Sequence, residues 1–143
     1  MMQLKSIGEK LGTMEGVHAM TDVTGFGLLG HLVEMAGGSE LSAEIYFDKV
    51  PAIIEKIESY VDEGCIPGGT IRNWESYGNN IGPITDFEKA ILADPQTSGG
   101  LLIAVDKETT KDVEDLFQKS GLSNFTNPIG MLTEKTEKII FVK

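Results

Sequence analysis

Residues 18–32 read His18-Ala19-Met20-Thr21-Asp22-Val23-Thr24-Gly25-Phe26-Gly27-Leu28-Leu29-Gly30-His31-Leu32, and the fold follows from how this stretch divides. Val17 to Met20 is short and reads as extended. A glycine-rich turn follows. From Leu28 to Ala36, Leu28, Leu32 and Met35 recur at helical spacing, and Gly37-Gly38 reads as the stop. The unit is therefore strand, glycine turn, helix. Thr21, Asp22 and Thr24 place a carboxylate and two hydroxyls at the strand's end. Gly25 and Gly27 let the backbone approach a ligand closely, so that amide N–H groups can face phosphate oxygens. A carboxylate beside such a loop suits Mg²⁺, which takes one or two carboxylates together with phosphate oxygens and water. No Gly-Lys-Ser or Gly-Lys-Thr is present to supply a phosphate-binding lysine. In the competing reading, Asp22 only caps the turn and the glycines only permit tight packing.

Gly25, Gly27 and Gly30 also spell GxGxxG, with Glu44 and Asp48 about 20 residues on, the spacing of a dinucleotide-binding fingerprint. That reading requires further regular βαβ units, and the rest of the chain does not supply them. Gln3 to Leu11 has helical spacing at Leu4, Ile7 and Leu11. Ser42 to Phe47 reads as a strand. Pro51 suits a helix start, with Ile53, Ile54, Ile57 and Val61 as its stripe, ending near Gly64. Cys65 to Pro83, rich in Gly, Asn and Pro, reads as a long loop of the kind that is often functional. Thr85 to Ala93 looks helical, with Thr85 and Glu88 at capping-box spacing. Leu101 to Val105 is a continuous apolar run, the pattern of a buried central strand. Lys107 to Ser120 is amphipathic, with Val113, Leu116 and Phe117 inward and Gly121 as its stop. Pro128 to Leu132 and Lys138 to Val142 read as a terminal hairpin around Thr133 to Thr136. The expected class is α+β: a mixed β-sheet with packed helices.

The 143 residues suit one domain, and 41% hydrophobic with 24% charged residues is the composition of a folded chain. A net charge of −10 repels phosphate backbones and anionic leaflets, which argues against nucleic-acid and membrane partners. It leaves room for ATP where magnesium neutralises the phosphates. The single Cys65 excludes an internal disulfide and a multi-cysteine zinc site, and fits a reducing cytoplasm. No run approaches the roughly 20 apolar residues of a membrane span, and no apolar signal core opens the sequence.

The block from His18 to Leu32 resembles the signature that opens the C-terminal domain of the selenide, water dikinase (selenophosphate synthetase) family, within the wider aminoimidazole ribonucleotide synthetase-like superfamily. Pro67-Gly68-Gly69-Thr70-Ile71-Arg72-Asn73 and Asp94-Pro95-Gln96-Thr97-Ser98-Gly99-Gly100-Leu101-Leu102 match in the same order. The likeness runs from about Gly16 to Val142. It implies the fold of that C-terminal domain over residues 1–143, and a Mg²⁺-dependent, homodimeric enzyme making selenophosphate, AMP and phosphate from selenide, ATP and water. The resemblance further implies that the catalytic cysteine or selenocysteine, a nearby lysine, a glycine-rich loop and most Mg²⁺- and ATP-holding aspartates belong to an N-terminal ATP-binding domain absent from this chain. That domain is the implied partner. Asp22 matches the one metal-binding aspartate of the C-terminal domain; Thr21, Thr24, Gly25 and Gly27 accompany it as candidate cofactor-binding residues, and no catalytic residue is assigned. Cys65 does not match the family nucleophile. The isolated chain is expected to be inactive. A stand-alone binding or regulatory module with the same fold is the alternative.

Other residues carry blander expectations. His18 and His31 read as hydrogen-bonded structural histidines. Arg72, the only arginine, either reaches a phosphate or partner carboxylate or pins its loop through carbonyls or Glu75. Asn73 and Tyr77 read as hydrogen bonders within the same loop, and Asp94, Thr97 and Ser98 as residues capping a helix and turning into the next strand. A missing domain should leave apolar surface exposed around Leu28, Leu29 and the Gly25 to Gly27 loop.

Overall fold

The computed structural model describes residues 2–52 and 57–143, and side chains for residues 7–52 and 57–143. Helix α1 (Met2–Leu11), strand β1 (Val17–Asp22), helix α2 (Gly27–Gly38) and strand β2 (Leu41–Ile45) come first. Helices α3 (Ile57–Asp62), α4 (Gly68–Tyr77) and α5 (Asp86–Leu92) follow, then strand β3 (Leu101–Val105), helix α6 (Thr110–Lys119) and strands β4 (Gly130–Glu134) and β5 (Ile140–Val142). Ile53 and Ile54, half of the stripe expected after Pro51, lie outside the described residues.

The α+β class holds, with the strands in two sheets. β1 pairs antiparallel with β3, Asp22 opposite Leu101. β2 runs between β4, to which it is antiparallel, and β5, to which it is parallel. The terminal hairpin is thus corrected: β4 and β5 occupy opposite edges of the mixed sheet. Ser42, buried on β2, ties down the crossover between them. Its hydroxyl accepts from Thr136 N–H at 2.9 Å and donates to the Lys138 carbonyl at 3.0 Å.

The expectation that Leu101 to Val105 forms the central strand is corrected too, because β2 is the central strand. β3 is apolar throughout for another reason: its two faces serve two cores. Leu102 joins the main core with Leu29, Ala43, Ile45, Leu92 and Ile140. Leu101, Ile103 and Val105 pack on a smaller core formed by Ile7, Leu11, Val113 and Leu122. Full burial of each large aliphatic side chain contributes about 1.5–3 kcal/mol.

The long loop expected from Cys65 to Pro83 is also corrected, since α4 occupies its middle. Pro67, with φ −59°, leads into the helix, and after Gly68-Gly69 in its first turn no Gly or Pro follows until Gly78. The buried face of α4 is Thr70, Asn73 and Tyr77, at i, i+3 and i+7. That is helical periodicity written largely in polar side chains, which a hydrophobic pattern does not reveal. α5 begins as expected. Thr85 accepts from Glu88 N–H at 3.1 Å and its own N–H donates to the Glu88 carboxylate at 2.7 Å, completing a capping box. Among the described residues no helix is long and apolar enough to cross a membrane.

Candidate functional site

β1 ends at Asp22 and gives way to a turn of four residues before α2 begins. Backbone and side-chain ties fix that turn. Val23 N–H donates to Gly100 at 2.9 Å, and Gly99 N–H returns to Val23 at 3.0 Å. The Thr24 carbonyl accepts from both Gln96 N–H and Gly27 N–H at 3.0 Å. From α4, Asn73 Nδ2 donates to the carbonyls of Gly25 and Ala93, each at 2.9 Å. Tyr77 donates its hydroxyl to the Phe26 carbonyl at 2.7 Å. Burial pushes the Tyr77 phenol up to about 12, so it remains a donor at neutral pH.

The three blocks singled out in the sequence, 18–32, 67–73 and 94–102, therefore meet at one place. Asn73 and Tyr77 do not bond within their own segment as expected. α4 carries them across to the glycine turn. Asp94 differs as well. The α5 C-cap is Ala93, and the Asp94 carboxylate instead accepts from Thr70 Oγ1 at 3.2 Å and from Gln96 Nε2 at 2.9 Å. Burial raises its pKa above the ordinary carboxylate range, and the two hydrogen bonds oppose that rise. Replacing Asn73 by Ala removes both of its bonds and leaves the Gly25 and Ala93 carbonyls to find other partners. Stability is expected to fall by about 2 kcal/mol, read from urea unfolding; a loss below about 0.5 kcal/mol would mean that Asn73 does not tie the segments together.

Gly27 and Gly30 bring α2 against its neighbours. Gly27 has φ +68°, and a Cβ there would lie 2.8–2.9 Å from backbone atoms of Leu92, Ala93 and Asp94. At Gly30 a Cβ would lie 2.8 Å from the Tyr77 ring. Gly27 is buried and its N–H is spent on Thr24, so its part is the shape of the turn. Asp22, Thr24 and Gly25 are exposed, and Thr21 is half-buried beside them. Among the described residues no group of three His, Cys, Asp or Glu side chains is placed to hold a metal. Asp22 is an exposed oxygen donor at a strand end, with the Thr24 hydroxyl two residues on. This donor set fits a hard cation that draws its other oxygens from phosphate and water.

His31 on α2 lies behind this turn. Its Nε2 is 3.1 Å from Thr24 N and 3.2 Å from Thr24 Oγ1. His18, on β1, bonds Asp106 at 2.8 Å on the exposed side of the small sheet. Both histidines are hydrogen-bonded, as expected. Arg72 is exposed on α4, with no ion pair to Glu75 among the described residues. Of the apolar surface expected there, Leu29 is fully buried and Leu28 half-buried, and the loop itself exposes Phe26, at 53%. Met20 on β1, 36% exposed, adds to it from outside the expected stretch. A cavity of about 240 Å³ opens beside Met20, lined also by Ala19, Thr21, His31, Glu34 and Met35. A smaller one opens between Phe26 and Tyr77, and Glu34 borders both.

A strand–turn–helix unit of this build, with its glycines packed on two distant segments and β1 antiparallel to β3, is not a dinucleotide-binding βαβ unit. Residues 1–143 match the family described as AIR synthase related protein, C-terminal domain, and the chain belongs to that family. It is 46% identical over 143 residues to a selenide, water dikinase of Haemophilus influenzae, covering 100% of this chain and 40% of that protein. The selenide, water dikinase of Pasteurella multocida is 52% identical over 125 residues, 87% of this chain and 35% of that protein. That of Pseudomonas aeruginosa is 49% identical over 135 residues, 94% of this chain and 38% of that protein. The chain thus spans about 40% or less of the length of these curated relatives.

Proposed function

We propose that this chain is the C-terminal domain of an ATP-dependent selenide, water dikinase, and that Asp22 completes a Mg²⁺–ATP site whose other groups lie in the remainder of the enzyme. The observation that carries this reading is the convergence of the three matched blocks on one turn that leaves the Asp22 carboxylate at the surface. Identity of 46–52% to proteins of that name supports it.

Each side chain has a part in this reading. Asp22 offers a carboxylate oxygen held at a fixed strand end. Thr24 and Gly25 offer a hydroxyl and an exposed backbone beside it, and Thr21 borders the cavity next to the turn. Mg²⁺, when bound, supplies charge neutralisation to the phosphate oxygens. The N-terminal part of the enzyme supplies the nucleophile and the other carboxylates. It covers the turn along the apolar rim of Met20 and Phe26, and the complete enzyme works as a cytoplasmic homodimer on selenide, ATP and water. The chain alone is then inactive. Selenide-dependent formation of AMP by the purified 143-residue chain would refute the division of labour, and its absence, with the chain folded, is the expected result.

A further inference from the structure

We infer that His31 is a positioning residue for the turn that follows Asp22: its ring, protonated at Nδ1 only, holds Thr24 at both the amide and the hydroxyl. A backbone N–H can only donate. The 3.1 Å contact from Thr24 N therefore requires a lone pair on Nε2, which assigns the ring proton to Nδ1. The Thr24 hydroxyl, 3.2 Å from the same nitrogen, can then bond it only as a donor that shares this one lone pair with the amide, which leaves both of its oxygen lone pairs uncommitted. His31 thus presents Thr24 as an oxygen acceptor beside Asp22.

Two further features hold the ring in place. His31 is 8% exposed, and the Phe26 ring meets it edge-on at 6.0 Å between centroids. Its Nδ1 has no hydrogen-bond partner and faces the Glu34 carboxylate at 3.8 Å, at the wall of the cavity beside Met20. An imidazole kept at this cost in unsatisfied polarity is explained by the bonds it makes to Thr24. The inference holds whatever reaction the complete enzyme performs, because its test uses neither nucleotide nor selenide.

The test is amide hydrogen exchange on the folded 143-residue chain, with the His31 ring followed by nitrogen NMR. In the native chain the Thr24 amide should be protected and the ring should show an unprotonated Nε2. His31→Phe keeps the bulk and removes the acceptor. It should speed Thr24 exchange about 10-fold, the factor of one net hydrogen bond, while Ala43 and Lys143 in the mixed sheet stay protected. His31→Gln carries a carbonyl that can reach the place of Nε2 and should restore most of the protection. Unchanged Thr24 exchange in His31→Phe would overturn the inference. So would a protonated Nε2 in the native chain, a reading that stands even where His31→Phe fails to fold.

Discussion

Asp22→Asn, introduced into the complete enzyme, is expected to lower selenophosphate formation by at least about 100-fold, since loss of even an outer partner of a metal ligand costs about 10–100-fold. The amide keeps the shape and removes the charge. Asp22 is exposed at the end of β1, and strand pairing there uses the backbone. The urea midpoint should accordingly move by no more than the small amounts typical of surface substitutions. Raising the Mg²⁺ concentration should recover part of the lost rate if the proposed place of Asp22 in the cation's oxygen set is right. Activity within about threefold of the native enzyme would remove Asp22 from the metal site.

Gly27→Ala carries the largest expected loss of stability. The residue sits at φ +68°, where an L side chain costs roughly 1–2 kcal/mol. The new methyl would also meet backbone atoms of three consecutive residues at 2.8–2.9 Å, and backbone cannot swing aside as a flexible side chain can. Overpacking of this kind adds about 1–3 kcal/mol. The sum, about 2–5 kcal/mol, is a large part of the total for a small domain and should lower the urea midpoint by about 1–3 M. Gly25 is the internal control. It belongs to the same turn, its φ is not positive, and a Cβ there meets nothing within 4 Å. Gly25→Ala should be within about 1 kcal/mol of the native chain. Equal losses at the two positions would mean that the packing of α2 on the 92–94 segment does not require Gly27.

The contrast between these two glycines shows what could be read from the amino-acid order. Strand, turn and helix over residues 17–38 were legible because local rules decide them: extended residues, then glycines, then a helical stripe. The Thr85 capping box was legible for the same reason. Which glycine is indispensable was not, because the answer lies in the backbone of Leu92 to Asp94, far along the chain. α4 was hidden because its buried face is Thr70, Asn73 and Tyr77, chosen for hydrogen bonds rather than for apolar area. The apparent hairpin failed for a topological reason. β4 and β5 are close in sequence, but β2, from the first third of the chain, sits between them. β3 looked central because both of its faces are apolar, and those faces pack on separate cores. At the site, the exposed carboxylate was legible from residue type and position. The anchoring by Asn73 and Tyr77 needed the helix that the pattern concealed.

The most direct measurement is AMP release on recombining this chain with the N-terminal part of the same enzyme. Selenide-dependent AMP should form when the two parts are mixed with Mg²⁺ and ATP, form with neither part alone, and fail when the mixed chain carries Asp22→Asn. AMP formation by the N-terminal part alone at the rate of the mixture, or equal rates with native and Asp22→Asn chains, would contradict a role for this domain in completing the site.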